Sequence, residues 1–181
     1  MKIVHTDIDG LLVIEPRVFE DERGFFYESF NQKTWKKKTN LNTKFVQDNF
    51  SQSEKGVLRG LHFQNPPFTQ EKLVTVLSGA VLDVAVDLRK KSKTYGAHFK
   101  IELTAESKKQ LFVPKGFAHG FLVLEDNTQF FYKCSEFYHP ESEASILWND
   151  PKIGINWKIK NPVLSEKDKR AINFINFESP F

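Results

Sequence analysis

Cysteine is nearly missing from this chain: its 181 residues include one, Cys134. A single thiol excludes an intramolecular disulfide and any zinc site built from cysteines. Long hydrophobic runs are missing too. No stretch approaches the ~20 apolar residues that a membrane-spanning helix needs, so no membrane partner is expected. The N-terminus, MKIVHTDIDG, lacks the apolar core of a secretory signal, and a cytoplasmic location follows as the expectation. Neither charge sign dominates: 26 Lys and Arg against 23 Asp and Glu leave a formal net charge of +3. No basic block exceeds the short run Lys36 to Lys38, which reads as a solvated helix face, so no nucleic-acid partner is expected. Glycine and proline punctuate the chain without gathering into a linker, and no repeat is found. One domain over residues 1–181 is expected, long enough for a substantial core.

What is present is a succession of short apolar runs separated by turns. The 40% hydrophobic and 27% charged content is that of an ordinary soluble globular protein, though the 18 phenylalanines are many. Leu11 to Ile14 ends at Pro16. Asp21 to Gly24 is a turn, and Gly24 to Phe30 alternates as a strand. Asn31 is suited to cap a short helix running through Lys38. Phe45 to Ser53 resumes strand character, with Gln47, Asn49, Ser51 and Ser53 on one face. That face is either solvated or the wall of a polar cavity. Strands are then expected at Gly56–Gln64, Lys72–Leu77, Ala80–Leu88, Ala97–Leu103, Gln110–Val113, Ala118–Leu124 and Thr128–Phe137. This spacing predicts an all-β sandwich or barrel. Leu164 to Asp168 reads as an N-capped helix start.

The stretch GVLRGLHFQ (56–64) carries Arg59 and His62 among Val57, Leu58, Leu61 and Phe63. A fixed charge and a titratable ring on an apolar segment need partners or a purpose. A second apolar segment, LFVPKGFAHGF (111–121), adds His119. Tyr132 and Asp168 follow further on. Taken singly, each has a plainer reading. Tyr132 could be a core ring with a satisfied hydroxyl, Lys72 a snorkelling surface residue and Asp168 a helix-start acid.

His62-Phe63-Gln64 with Glu71, and Pro114-x-Gly116-x-x-His119, resemble the paired motifs of the cupin jelly roll. Many cupins hold a metal there, but Gln64 is a poor ligand, and a triad of His62, His119 and Glu71 is the remaining option. The closer resemblance is to the dTDP-4-dehydrorhamnose 3,5-epimerase family, the metal-free sugar-nucleotide epimerases of that superfamily. It is carried by DERGFFYESF (21–30), FVQDNFSQS (45–53), GVLRGLHFQ (56–64) and QEKLVTVLSGAVLDVAVDLR (70–89). QLFVPKGFAHGF (110–121), WNDP (148–151) and LSEKD (164–168) extend it, in order and without a large gap. The closing INFINFESPF has no counterpart in these motifs.

The resemblance implies an all-β cupin jelly roll with short peripheral helices, no cofactor and no metal. The implied substrate is a dTDP-linked 4-keto sugar whose carbons 3 and 5 are both inverted. Protons α to a ketone are removed to an enolate and returned from the other face, which takes a base, an acid and an enolate-stabilising donor. His62 suits the base, since imidazoles titrate near neutral pH. Tyr132 suits the acid, and Lys72 supplies a cation toward the enolate oxygen. The resemblance assigns Asp168 to hold the imidazole. Arg23 and Arg59 are the planar cations for a diphosphate. Resemblance adds Glu28, Gln47 and Asn49 for nucleoside and phosphate, Lys167 near the phosphate, and Phe26 and Tyr138 to sandwich the thymine. His119 is implied to face the sugar, with Glu143 as a further contact. The strand carrying Arg23 and Glu28 is implied to reach a neighbouring subunit, so a homodimer with exchanged N-terminal strands is expected. Three other readings are an epimerase acting at one carbon only, a metal-dependent cupin enzyme and a non-catalytic sugar-nucleotide binder.

Overall fold

The computed structural model describes residues 1–181. Its strands are β1 (Lys2–His5), β2 (Leu12–Glu15), β3 (Val18–Asp21), β4 (Gly24–Tyr27), β5 (Gln47–Ser53), β6 (Leu58–Gln64) and β7 (Lys72–Ser78). They continue with β8 (Ala80–Asp87), β9 (His98–Thr104), β10 (Gln110–Val113), β11 (Phe117–Val123), β12 (Thr128–Cys134) and β13 (Glu143–Ser145). Two short helices, α1 (Gln32–Thr39) and α2 (Glu166–Lys169), lie outside the strands. A six-stranded sheet runs β1-β2-β10-β7-β12-β5 and a five-stranded sheet runs β13-β6-β11-β8-β9. The expected all-β jelly-roll sandwich with peripheral helices is therefore observed.

Period-two alternation builds the core between the sheets. Val74, Val76, Leu111, Val113 and Phe130 from the six-stranded sheet meet Val81, Ala85, Leu103, Phe117, Phe121 and Val123 from the other. β8 is buried at every position. Its second face, with Leu82, Val84 and Val86, is covered by Ile153 and Trp157 and by Phe174, Phe177 and Phe181 of the C-terminal segment. The phenylalanine-rich tail thus has a structural role: Phe177 and Phe181 pack edge-on against Phe63 at 5.4 and 5.8 Å. An antiparallel strand buried on both faces has no reason to alternate apolar with polar, hence the run AVLDVAV.

α1 covers the outer face of the six-stranded sheet over β2, β10 and β7. Asn31 caps it as expected, its Oδ1 accepting from the backbone N–H of Lys33 and Thr34 at 3.0 and 3.1 Å. Lys36, Lys37 and Lys38 lie in the last turn, where cations suit the helix dipole. Trp35 alone is buried, against Leu12, Ile14, Leu73 and Phe112. Trp35→Ala should therefore cost about 3–5 kcal/mol, as large core truncations do. Chemical denaturation measures it, and a loss below about 1 kcal/mol would mean that α1 contributes little to the fold.

Several boundaries differ from expectation. The strand expected over Gly24–Phe30 stops at Tyr27, because Glu28 accepts from the Asn31 side chain (2.9 Å) as the chain bends into α1. β4 pairs only with β3, a strand not separately predicted. The strand expected to reach Phe137 ends at Cys134: Ser135 keeps one backbone bond, its N–H donating to Glu71 O (3.0 Å), but its Oγ replaces its carbonyl in accepting from the Glu71 N–H (2.8 Å). β1 and β13, four and three residues long, carry too few residues for a periodic signal. No helix is long and apolar enough to cross a membrane.

Candidate active site

A cavity of about 550 Å³ opens between the two sheets. Arg59 and His62 on β6 and His119 on β11 line it from the five-stranded sheet. Asn49 and Ser51 on β5, Lys72 on β7 and Tyr132 on β12 line it from the six-stranded sheet. The polar face of β5 is thus a cavity wall and not a solvated face. Val163 to Ser165 and Asp168 close one side.

Two glycines make the imidazole positions possible. A Cβ on Gly60 would lie 2.5 Å from Gly120 Cα, and one on Gly120 would lie 2.7 Å from Arg59 O. Only bare backbone lets β6 and β11 approach this closely. Pairing then sets His62 directly opposite His119.

Each imidazole is backed by a buried carboxylate. Asp168 Oδ1 lies 2.5 Å from His62 Nε2. Its other oxygen accepts from Ser165 Oγ (2.8 Å), while Ser165 Oγ accepts from the Asp168 N–H (3.1 Å) and so caps α2. Burial alone would raise the Asp168 pKa, but the hydrogen bonds and charge of this cluster prevail and hold it below the ordinary carboxylate value. An ionised acceptor at Nε2 assigns the neutral ring's proton to that nitrogen and leaves Nδ1 free to take up a proton. His119 Nε2 lies 2.9 and 3.0 Å from the two oxygens of Asp83, which is fully buried.

The six-stranded sheet supplies the complementary groups. Burial pushes the Tyr132 phenol up to about 12, so it keeps its proton throughout the neutral range. Lys72 is half-buried, its ammonium 6.0 Å from the centroid of the Tyr132 ring. Desolvation lowers its pKa, which replaces the snorkelling surface reading. Arg59 lies at the exposed lip, its guanidinium donating to a hydroxyl, Ser53 Oγ (3.3 and 3.1 Å).

Other expected residues lie outside the cavity lining and are tied to one another. Tyr138 donates to Glu143 Oε2 (2.6 Å), and Lys167 pairs with the same oxygen. Burial would raise the Glu143 pKa, but these two partners lower it overall. Gln47 bridges Asn49 and the Tyr138 backbone. Arg23, Phe26 and Glu28 lie away from the cavity within the chain. Arg23 is 85% exposed and paired with Asp21, and Phe26 is 69% exposed on the β3–β4 hairpin. The metal triad considered from sequence does not form. Both Nε2 atoms are engaged by carboxylates, the Gln64 side-chain amide is committed to backbone groups, and no three His, Cys, Asp or Glu side chains converge as ligands.

Asp83 and Ser165 were missed by sequence reasoning. Asp83 had a signal: an acid at an inward position of the otherwise apolar VLDVAV needs a buried partner. Ser165 had its position before the helix start, but not its second bond to Asp168.

These groups suit proton transfer at a carbon acid, which puts the molecule among the acid–base isomerases built on a jelly-roll sandwich. Within that class the chain belongs to the dTDP-4-dehydrorhamnose 3,5-epimerase family, whose model matches residues 5–176. It is 52% identical over 171 residues to the dTDP-4-dehydrorhamnose 3,5-epimerase of Escherichia coli K12, covering 94% of this chain and 92% of that one. It is also similar to the crystal structure of dTDP-6-deoxy-D-glucose-3,5-epimerase from Legionella pneumophila in complex with dTDP-4-keto-L-rhamnose. There the TM-score is 0.94 at 50% identity, over 98% of this chain and 94% of that one. A 3′-monoepimerase from Streptomyces bikiniensis in complex with dTDP-quinovose aligns with TM-score 0.88 at 32% identity, over 93% and 85%.

Proposed function

We propose that this chain inverts carbons 3 and 5 of dTDP-4-dehydro-6-deoxy-D-glucose to give dTDP-4-dehydro-L-rhamnose. The observation that carries the reading is the location of His62 and Tyr132 on facing sheets of one cavity. A sugar ring between them meets the base on one side and the acid on the other. His62, oriented by Asp168, removes the α-proton. The resulting enolate charge at oxygen 4 is met by Lys72. Tyr132 returns a proton from the opposite side, and repetition at the second carbon completes the reaction. The 4-keto group itself stabilises the carbanion, so the chemistry calls for no cofactor. Arg59 at the lip suits the diphosphate, Tyr138 the thymine, and His119, held by Asp83, the sugar. A cytoplasmic enzyme within one domain, supplying a keto-sugar precursor of activated rhamnose for a surface polysaccharide or a glycosylated metabolite, fits this chemistry.

The test is proton exchange at each carbon. With dTDP-4-dehydro-6-deoxy-D-glucose in deuterated solvent, deuterium should enter at carbons 3 and 5, read by nuclear magnetic resonance. Likeness to the monoepimerase supports the second reading, for which deuterium would enter, and inversion occur, at carbon 3 alone. No exchange at either carbon would leave a binding module.

The homodimer is part of this reading. Phe19 and Phe26, paired across the β3–β4 hairpin, are 50% and 69% exposed, and Phe25 on its other face is 58% exposed, apolar surface on both faces that a monomer seldom leaves open. If the hairpin delivers Arg23 to a neighbour's cavity, Arg23→Ala and His62→Ala are each inactive but complement one another. Equal co-expression should restore about a quarter of wild-type activity, since half the dimers are mixed and each has one intact site. No recovery, or a fully active monomer in solution, would overturn the shared site.

A further inference from the structure

An exposed aromatic side chain is ordinarily free to move. Tyr138 is 51% exposed, yet the backbone on either side of it is tied down. Gln64, 4% exposed at the end of β6, is the centre of the restraint. Its Nε2 donates to Phe68 O at 2.7 Å and Phe137 O at 3.1 Å. Its Oε1 accepts from the His139 N–H at 2.8 Å. A side-chain amide offers two donors and a carbonyl acceptor, and here all are used. Gln47 accepts from the Tyr138 N–H at 2.9 Å, and Gln70 donates to Glu136 O at 2.9 Å. The peptide before Tyr138 is thus held through both its oxygen and its N–H, and the peptide after it through its N–H. His139 also stacks on Phe68 at 3.6 Å, the residue whose carbonyl Gln64 holds.

Burying an amide is costly unless every group is bonded, and a fully bonded network specifies one geometry. An apolar side chain would fill this space but would leave Phe68 O and the His139 N–H without these partners, and Phe137 O with only the long contact from Gln70 at 3.5 Å. We propose that Gln64 is a positioning residue that pre-organises the Tyr138 ring as a platform for the planar base of the nucleotide. The inference rests on the reading of Tyr138 as the base-stacking residue. Its consequence is that β6, which carries His62, also sets the nucleoside-facing loop. A platform ordered before the ligand arrives binds more tightly than one ordered by it.

The test is Gln64→Met, which keeps the volume and removes all three bonds. Calorimetry with dTDP should find binding weakened about ten-fold, and the KM for the nucleotide sugar should rise with it. The kcat and its pH dependence should stay within about two-fold of wild type, since the His62–Asp168 pair is untouched. A merely structural role would lower the active fraction, and with it kcat, at unchanged KM. Tyr138→Ala closes a double-mutant cycle: without the ring, Gln64→Met should cost no further affinity. Additive losses, or normal affinity in Gln64→Met, overturn the positioning role while base stacking stands. Normal dTDP affinity in Tyr138→Ala overturns base stacking and the inference with it. Should Gln64→Met fail to fold, Gln70→Met at a half-buried position releases Glu136 instead, and the same cycle with Tyr138→Ala applies.

Discussion

His62→Ala is expected to abolish turnover while leaving dTDP affinity within a few-fold of wild type. The imidazole faces the cavity from the five-stranded sheet, and its orientation is set by a carboxylate that lies outside both sheets, Asp168 of α2. Removing both the proton acceptor and its orientation should cost at least about 10⁴-fold in rate, the upper end for general acid–base catalysis. On the proposed reading the diphosphate and base are met by other residues, so binding should be spared. Asp168→Asn tests the second half of the pair. It preserves shape but removes the charge that holds the Nε2 proton, and it should give a smaller loss than His62→Ala. The pair also affects stability. Asp168 has a folded pKa below its unfolded value, so it stabilises the fold above about pH 4, and that contribution is lost as pH falls through the folded pKa. His62→Ala removes one partner, so its denaturation midpoint should fall more at pH 7 than at pH 3. Steady-state rates, dTDP calorimetry and denaturation at the two pH values measure these effects. Near-normal turnover in a folded His62→Ala would overturn the assignment.

Tyr132→Phe should separate proton removal from inversion. The ring keeps its packing beside Phe130, 6.0 Å between centroids, and only a hydroxyl is lost. Without the acid on the six-stranded sheet, inversion should slow by about 10²–10⁴-fold. His62 can still remove a proton and return a deuteron to the same face. The variant should therefore wash deuterium into the substrate with little net inversion, visible by nuclear magnetic resonance of the recovered sugar nucleotide. Loss of exchange together with inversion would mean that the phenol takes part in deprotonation. Inversion at the wild-type rate would move the acid elsewhere, with His119 the next candidate.

The strands from Lys72 to Val123 were legible because their apolar runs end at turn residues and the sheets bury at least one face of each. α1 was legible because capping is local: Asn31 needs only the next three residues. The Arg23–Glu28 segment was not, since its strand ends where a side chain reaches forward to the N-cap. Nor was Gln64, whose partners Phe68, Phe137 and His139 lie up to 75 residues away.

By itself the sequence determined the alternation that makes two sheets, the helix cap, and which residue types are available for proton transfer. The motifs carrying the family resemblance fixed which of them to name. Only the tertiary structure decided that His62 and Asp168, 106 residues apart, share a hydrogen bond. It also decided that Tyr132 and Lys72 face them from the other sheet, and that Asp83 stands behind His119. These relations depend on strand order and on the close approach of β6 and β11 at Gly60 and Gly120. Both are products of long-range packing, to which local propensity and spacing are blind.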